Sequence, residues 1–430
     1  MLTLIFGVLI SNLGFIALKA DDSPVSYNRS QKSLTLSTSR GMIYDTNMKK
    51  IVNTEKEIIT ACLPTTNALN SVEEYITDDE VKLLYENMNK GKISILSLPT
   101  KFNENHIKSV TMVNRYSSDQ PCVHLIGHLD QSGNGVMGLE KAYNDTLSAN
   151  QGNLKAVWSC DAIGNILLGE GIDFETSNYM SPAGIQLTID LEIQQIAENA
   201  LINNKIDKGA VVILNSHTNE ILAMASLPKF NPNDVSQSLN NADSPFLNRA
   251  TTPYCVGSVF KPIVACGAIE NNIKFSYNCN GSIKVGETVF NCSNNTAHGN
   301  VDIDSAMQHS CNCYFIALGQ KIGTENLLSL CQDFGLGKSL ELADNFYVKS
   351  GILPDKSSIN SQQALANLSF GQGELLATPL HLAVVYSCFA NGGYYRPPTL
   401  MKAVIDQDKN AIKKGTKWYF LHIFSFLLFV

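Results

Sequence analysis

Ser258 and Lys261 stand three residues apart in Tyr254-Cys-Val-Gly-Ser-Val-Phe-Lys-Pro262, after a glycine and before a proline. If the chain is helical from Ser258 onward, hydroxyl and amine share one face, one turn apart. A serine is a weak nucleophile until a base takes its proton, and an amine desolvated in a closed site can be that base. The spacing also arises by chance, and Ser226-Leu-Pro-Lys229 is a second copy. Weight comes from a second polar element downstream, Ser310-Cys-Asn312. It lies in a stretch from Asp304 to Gly323 whose periodicity, acidic start and glycine stop predict one continuous helix. A hydroxyl there can relay a proton to a leaving amine, and an amide can hold a peptide group. An isolated Ser-x-Asn is better read as a buried polar pair satisfying its own helix, and Ser276-Tyr-Asn278 and Ser358-Ile-Asn360 repeat the pattern.

The elements that must position these residues are legible in outline. Gln186 to Asp190 reads as a short strand whose aspartate caps a helix carrying Ile193, Ile196, Ala197, Ala200 and Leu201 at helical spacing. Gly209 to Leu214 and Glu220 to Ser226 are apolar runs joined by Asn215 to Asn219, a β-hairpin of scaffold character. A helix is expected from Ser258 to about Glu270, and another capped by Thr324 and ending near Phe334-Gly335. Thr378-Pro379 opens one more, closed at Asn391-Gly-Gly393. Earlier in the chain, Arg40 to Asn47 is an extended apolar run closed by a turn. Thr77 to Met88 is helical in pattern, Val123 to Leu129 is strand-like, and glycines 133, 135 and 138 mark a loop before Leu139 to Tyr143.

With 430 residues the chain can hold two or three domains, and 44% hydrophobic with 17% charged residues is an ordinary globular balance. A net charge of −7 without a basic cluster argues against nucleic acid. Met1 to Leu18 carries no charged side chain and is at the lower edge of a membrane span, which reads as an N-terminal anchor; a cleaved signal peptide or a buried helix are the competing readings. The eleven cysteines are odd in number and scattered, so no small disulfide scaffold follows. Cys279 and Cys292 admit a disulfide, or with His298 a zinc site, but the spacing matches no strong zinc pattern. Buried or free thiols are the better reading.

Taken in order, these segments resemble the class B penicillin-binding proteins, membrane-anchored D,D-transpeptidases that cross-link peptidoglycan. Arg40-Gly-Met-Ile-Tyr-Asp45 and Gly138-Leu-Glu-Lys141 look like parts of the family's pedestal domain. Leu187-Thr-Ile-Asp190 and Ile221 to Ser226 look like the first helix and hairpin of its transpeptidase domain. Gly257-Ser-Val-Phe-Lys-Pro262, Ser310-Cys-Asn312, and Gly371-Gln-Gly373 with Thr378-Pro379 follow in the family's order. The resemblance implies an α+β fold of the penicillin-binding-protein and serine β-lactamase type, with helices packed on an antiparallel sheet. The expected division is an anchor over 1–20, an elongated α+β pedestal over 21–165, a transpeptidase domain over 166–417, and an aberrant apolar tail over 418–430.

By the same resemblance Ser258 would attack the D-Ala–D-Ala carbonyl and Lys261, held neutral by burial, would be its base. Ser310 would relay the proton, and Asn312 would hold substrate or orient Lys261. The Ser258 N–H would form half of an oxyanion hole. No metal or organic cofactor is implied. The implied partners are stem peptides ending in D-Ala-D-Ala, β-lactams, the bacterial membrane and a glycosyltransferase of the cell-wall machinery, with the catalytic part extracytoplasmic.

One departure is plain. The family's third motif, Lys-Thr/Ser-Gly on a downstream strand, is not among the 57 residues after Gly373. Lys349-Ser-Gly351 comes too early and Lys414-Gly-Thr416 has the wrong order. After Lys417 the composition breaks to Trp-Tyr-Phe-Leu-His-Ile-Phe-Ser-Phe-Leu-Leu-Phe-Val, which suggests a truncated or frameshifted reading frame. The polypeptide as written is then expected to leave the hairpin with an open edge and to be unstable or inactive. The alternatives are a non-catalytic cell-wall scaffold that keeps the pedestal, and a β-lactamase or β-lactam sensor.

Overall fold

The computed structural model describes residues 31–415 and the backbone of 421–422. The expected anchor therefore lies outside the described residues, as does most of the expected tail. Among the described residues no helix is long and apolar enough to cross a membrane.

Two compact units interleave along the sequence instead of meeting at one boundary near residue 165. The first takes the described residues up to 38 with 56–113 and 153–179; the second takes 39–55, 114–152 and the described residues from 180. In the first unit, Gln31–Ser39, Gly152–Ser159 and Ile172–Ser177 form a three-stranded sheet. A four-stranded sheet runs in the order Ser94–Ser97, Glu55–Cys62, Ile107–Asn114, Asn103–Glu104. Helices Thr66–Val72 and Asp78–Asn89 bring Leu69, Val72 and Leu84 against Leu96 and Ile107. The second of these helices starts on a reciprocal cap between Thr77 and Glu80.

The second unit holds both segments read as pedestal-like, and a buried carboxylate explains why. Glu140 has no exposed surface and accepts from Arg40 Nε (2.9 Å), Arg115 Nε (2.8 Å) and the Tyr116 hydroxyl (3.1 Å). A carboxylate so placed is stable only while paired, so this contact ties Arg40 to the helix Gly138–Ala142. Beside it, strand β1 (Met42–Tyr44) pairs in parallel with β2 (Gly184–Leu187), which pairs antiparallel with a strand near the C-terminal end, Met401–Ile405.

Asp190 caps α1 (Leu191–Asn203) by accepting from the N–H groups of Glu192 and Ile193. The hairpin forms as the turn residues predict, β3 (Gly209–Leu214) with β4 (Ile221–Leu227), and Ala197 and Leu201 of α1 pack on Ala223 and Ala225. Among the described residues no third strand joins its ladder. A helical layer completes the unit: α2 (Lys261–Glu270), α3 (Ile303–Gln308), α4 (Asn312–Ile322), α5 (Thr324–Asp333), α6 (Gln362–Ser369) and α7 (Pro379–Ala390). Phe260, Ile263, Val264, Phe315, Leu318 and Leu327 form the centre of its core.

Three sequence expectations change. Val123–Ile126 is a one-turn helix, not a strand; Cys122 enters it with φ 56°, a conformation that four apolar letters do not announce. Gly323, not Thr324, is the cap of α5. The stretch from Asp304 to Gly323 is two helices, α3 and α4, with the break at the second polar motif itself.

Candidate active site

The nucleophile turn is built from backbone geometry. Tyr254–Cys255 pairs with Leu376–Ala377, fixing the entry to the turn. Gly257 then takes φ +66° and donates its N–H to the Gly371 carbonyl at 2.7 Å. A Cβ on Gly371, itself at φ +77°, would sit 2.0 Å from the Gly257 oxygen, so only glycine fits there. Residues 257–260 form a 3-10 turn that passes directly into α2, and Pro262 falls in its first turn, where its missing N–H costs nothing. Val256 and Phe260 point into the core while Ser258 stays exposed. The Tyr386 hydroxyl of α7 donates to the Val259 carbonyl at 3.1 Å and holds the turn from outside.

Lys261 is the opposite of Ser258: its side chain is 1% exposed. Nζ lies 3.1 Å from Ser258 Oγ, 2.8 Å from Ser310 Oγ, 2.6 Å from the Ser310 carbonyl oxygen and 2.7 Å from Asn312 Oδ1. The four residues singled out from sequence thus meet on one amine. No carboxylate is among these neighbours. Burial pulls Lys261 down from the ordinary 10.5 to about 8, with neighbouring Cys311, Cys292 and Cys313 acting weakly the other way.

The second motif is presented by a helix break. Asp302 and Ser305 make a reciprocal cap at the start of α3, and the chain leaves that helix at His309. Ser310 has φ +51°, and Cys311 caps α4 by accepting the Tyr314 N–H on its sulfur at 3.4 Å. This turn aims the carbonyl and hydroxyl of Ser310 at the same amine, which a serine inside a continuous helix could not do, because its carbonyl would bond four residues on. Asn312 is committed at both ends: Oδ1 accepts from Lys261, and Nδ2 donates to the Asn291 carbonyl at 2.9 Å. Of the two roles expected for it, orienting Lys261 is the one this geometry serves.

Three participants escaped the sequence reading. Phe315 places its ring centroid 5.8 Å from Nζ, three residues beyond Asn312 on one face of α4, a spacing that could have drawn attention to it. Asn291 acts through its carbonyl, which no side-chain pattern signals. Cys311 is the unspecified middle residue of the Ser-x-Asn pattern, which gives it no role. Lys349-Ser-Gly351, refused above as a third motif, lies in a loop. A Cβ on Gly351 would come within 2.3 Å of the Leu376 carbonyl oxygen, so backbone packing accounts for the glycine.

This chain is similar to proteins already known. The family model for the penicillin binding protein transpeptidase domain matches residues 209–422, running into the stretch expected to be foreign, where Leu421–His422 pairs with Tyr394–Tyr395. Peptidoglycan D,D-transpeptidase FtsI of Escherichia coli K12 is 27% identical over 67% of this chain and 48% of its own length. Stage V sporulation protein D of Bacillus subtilis is 30% identical over 68% of this chain and 45% of its own. Peptidoglycan D,D-transpeptidase MrdA of Acinetobacter baumannii is 30% identical over 63% and 42%. The chain thus spans about half the length of the curated relatives it matches.

Two solved structures share the fold. A peptidoglycan synthase complex that coordinates polymerization and crosslinking contains a chain with TM-score 0.66 and 20% identity, covering 97% of this chain and 81% of that one. A peptidoglycan synthetase from Bifidobacterium adolescentis gives TM-score 0.59 and 18% identity over 91% and 79%. A transpeptidase-domain match that encloses every residue around Lys261, with relatives of one kind behind it, makes this chain a member of the class B penicillin-binding protein family.

Proposed function

We propose that the chain is a serine D,D-transpeptidase of peptidoglycan whose acyl-enzyme forms on Ser258. One observation carries the reading: Lys261 is buried against hydroxyls, a carbonyl and an amide, with no counter-ion among them. The hydrogen-bond inventory gives this a direction. A neutral amine has two N–H donors and one lone pair. The Ser310 carbonyl and Asn312 Oδ1 accept only, so they take both donors. The lone pair is left for a hydroxyl proton, from Ser258 or from Ser310, both within 3.1 Å.

In the proposed sequence Ser258 Oγ attacks the D-Ala–D-Ala peptide carbonyl as its proton passes to Lys261. The oxyanion is met by the Ser258 N–H at the first turn of the helix, where N–H groups have no helical acceptor. The proton returns through Ser310 to the departing D-alanine amine. The amine of a second stem peptide then attacks the ester and releases Ser258. A β-lactam would be opened by the same serine and remain attached.

The proposal extends to an extracytoplasmic site anchored by Met1 to Leu18 and to a glycosyltransferase partner. Their support is the apolar N-terminal run and the fold shared with a chain of a peptidoglycan synthase complex. The Lys-Thr/Ser-Gly wall is not found in these residues, which carry the half of the site that holds Ser258, Lys261, Ser310 and Asn312.

The test is reaction of the folded chain with a fluorescent penicillin, with the adduct located by peptide mass spectrometry. Label on Ser258, lost in Ser258→Ala, supports the reading and overturns the expectation of an inactive chain. A folded chain whose Ser258 takes no label overturns the proposal and favours a scaffold role. Rapid turnover of the β-lactam without lasting label would instead indicate a hydrolase.

A further inference from the structure

Behind the second motif lies a group of side chains that acyl transfer does not use. Cys279 ends the strand Tyr277–Cys279, and Cys292 follows the strand Thr288–Asn291. His298 precedes Gly299–Val301, the strand paired with Cys279, and Cys311 sits at the break between α3 and α4. Their four donor atoms all lie within 4.8 Å of one another. Cys279, Cys292 and Cys311 are at most 4% exposed, and His298 is half-buried.

We propose that Cys279, Cys292, His298 and Cys311 form a structural zinc site. Zinc takes thiolate sulfur at about 2.3 Å and imidazole nitrogen at about 2.0–2.1 Å in a tetrahedron, so donor atoms around one ion stand about 3.4–3.8 Å apart. Here Cys279 Sγ is 3.7 Å from Cys292 Sγ, Cys292 Sγ is 3.8 Å from Cys311 Sγ, and Cys279 Sγ is 3.5 Å from His298 Nδ1. A disulfide would need sulfurs at about 2.0 Å.

The surroundings suit thiolate ligands. The Tyr314 N–H donates to Cys311 Sγ, and the backbone fixes the loops that carry the others: Cys292 N–H to the Gly281 carbonyl at 2.9 Å, His298 N–H to the Cys279 carbonyl at 3.1 Å. His309 stacks on the His298 ring at 5.3 Å between centroids, fixing its plane. Binding releases the three thiol protons, and four protein ligands leave no open position, which makes the ion structural. Cys313, with Sγ 3.4 Å from that of Cys292, is a neighbouring fourth sulfur outside the set.

The consequence for the active site is direct. Cys311 is flanked by Ser310 and Asn312, both bonded to Lys261, so the ion would hold the helix break in the shape that presents them.

The experiment is elemental analysis of tag-free chain, purified under reducing conditions with zinc and freed of unbound metal. About one zinc per chain is expected. Cys292→Ser and His298→Asn should each weaken retention against a competing chelator by more than about tenfold, whereas Cys313→Ser should retain the metal. Since ligand variants can fail to fold, cobalt substitution of the unaltered chain gives a second readout: strong visible bands of tetrahedral cobalt bound to thiolate. A folded chain that takes up neither metal overturns the proposal. So does a Cys279–Cys292 disulfide in the folded chain, or metal lost with Cys313 and kept without Cys311. Chelation should also slow penicillin labelling, but the metal readouts stand without any activity.

Discussion

The chain contains two Ser-x-x-Lys segments in the same compact unit, and they have opposite environments. Lys229 is 16% exposed and faces two carboxylates, Glu198 at 3.0 Å and Asp119. Burial works to lower it, but the charges of Glu198 and Asp119 outweigh burial and raise it above the ordinary lysine value. Ser226 is spent on the backbone, accepting from the Arg249 N–H and donating to the Leu247 carbonyl. Lys261 is more deeply buried, hydrogen-bonds only to uncharged groups, and falls to about 8. Its serine is exposed and lies against the amine. A buried lysine with a counter-ion is a strut; one without is a base. The same four-residue spacing serves both, so spacing cannot be what makes Lys261 chemical.

The contrast can be broken at the lysines, at Asn312 and through pH. The largest effect is expected at the lysines. Lys261→Met should lower penicillin acylation by at least about 10³-fold with the fold retained. Lys229→Met should leave acylation within about twofold, but should cost about 3 kcal/mol of stability in denaturant titration by stranding buried Glu198. Should Lys229→Met prove the variant that silences the chain, the assignment of roles is wrong.

Next comes Asn312→Ala, which removes an acceptor from Lys261. A loss of about 10- to 100-fold in acylation rate is expected, since the amine becomes an ammonium as it takes the Ser258 proton and hydrogen bonds to charged groups contribute about 1.5–3 kcal/mol. Asn312→Asp is the sharper variant. A carboxylate would give Lys261 the counter-ion that Lys229 has, raise its pKa and shift the acylation profile to higher pH. An unchanged profile in this variant would mean that the missing counter-ion is not what sets the base.

The smallest effect is in pH itself. The folded Lys261 value lies below its ordinary 10.5, so the free amine predominates above about 8 and the ammonium below it. Acylation should therefore rise about tenfold per pH unit up to about 8 and then level, with no corresponding step from Lys229 in that range.

Much of this arrangement was legible in the residues. Caps at Asp190 and Thr378, the hairpin around Asn215 to Asn219, and the ordered motifs at Ser258, Ser310 and Gly371 carried their own signals. Those signals are local: a cap, a turn or a period acts within a few residues. What stayed hidden depends on meetings across the fold. The helix break at Ser310 interrupts a stretch with unbroken helical periodicity, because Cys311 supplies a new cap through its sulfur, a role the letter does not advertise. Glu140 and its two arginines are far apart in sequence and could not be paired from pattern. The sulfur cluster draws its ligands from separate strands and a helix end, with no Cys-x-x-Cys pair, so spacing argued against zinc while the fold brings the atoms together. Lys261 itself was legible as a candidate; its lack of a counter-ion was not.

The most direct test is a titration of the two lysines side by side. Protein carrying ¹³C at the lysine ε position, with Lys261 and Lys229 assigned by their absence in the methionine variants, can be followed by NMR from neutral to alkaline pH. Lys261 is predicted to titrate near about 8, and Lys229 to remain charged beyond the ordinary lysine value of 10.5. A Lys261 resonance that titrates with the surface lysines near 10.5 would contradict the assignment of this amine as the base for Ser258.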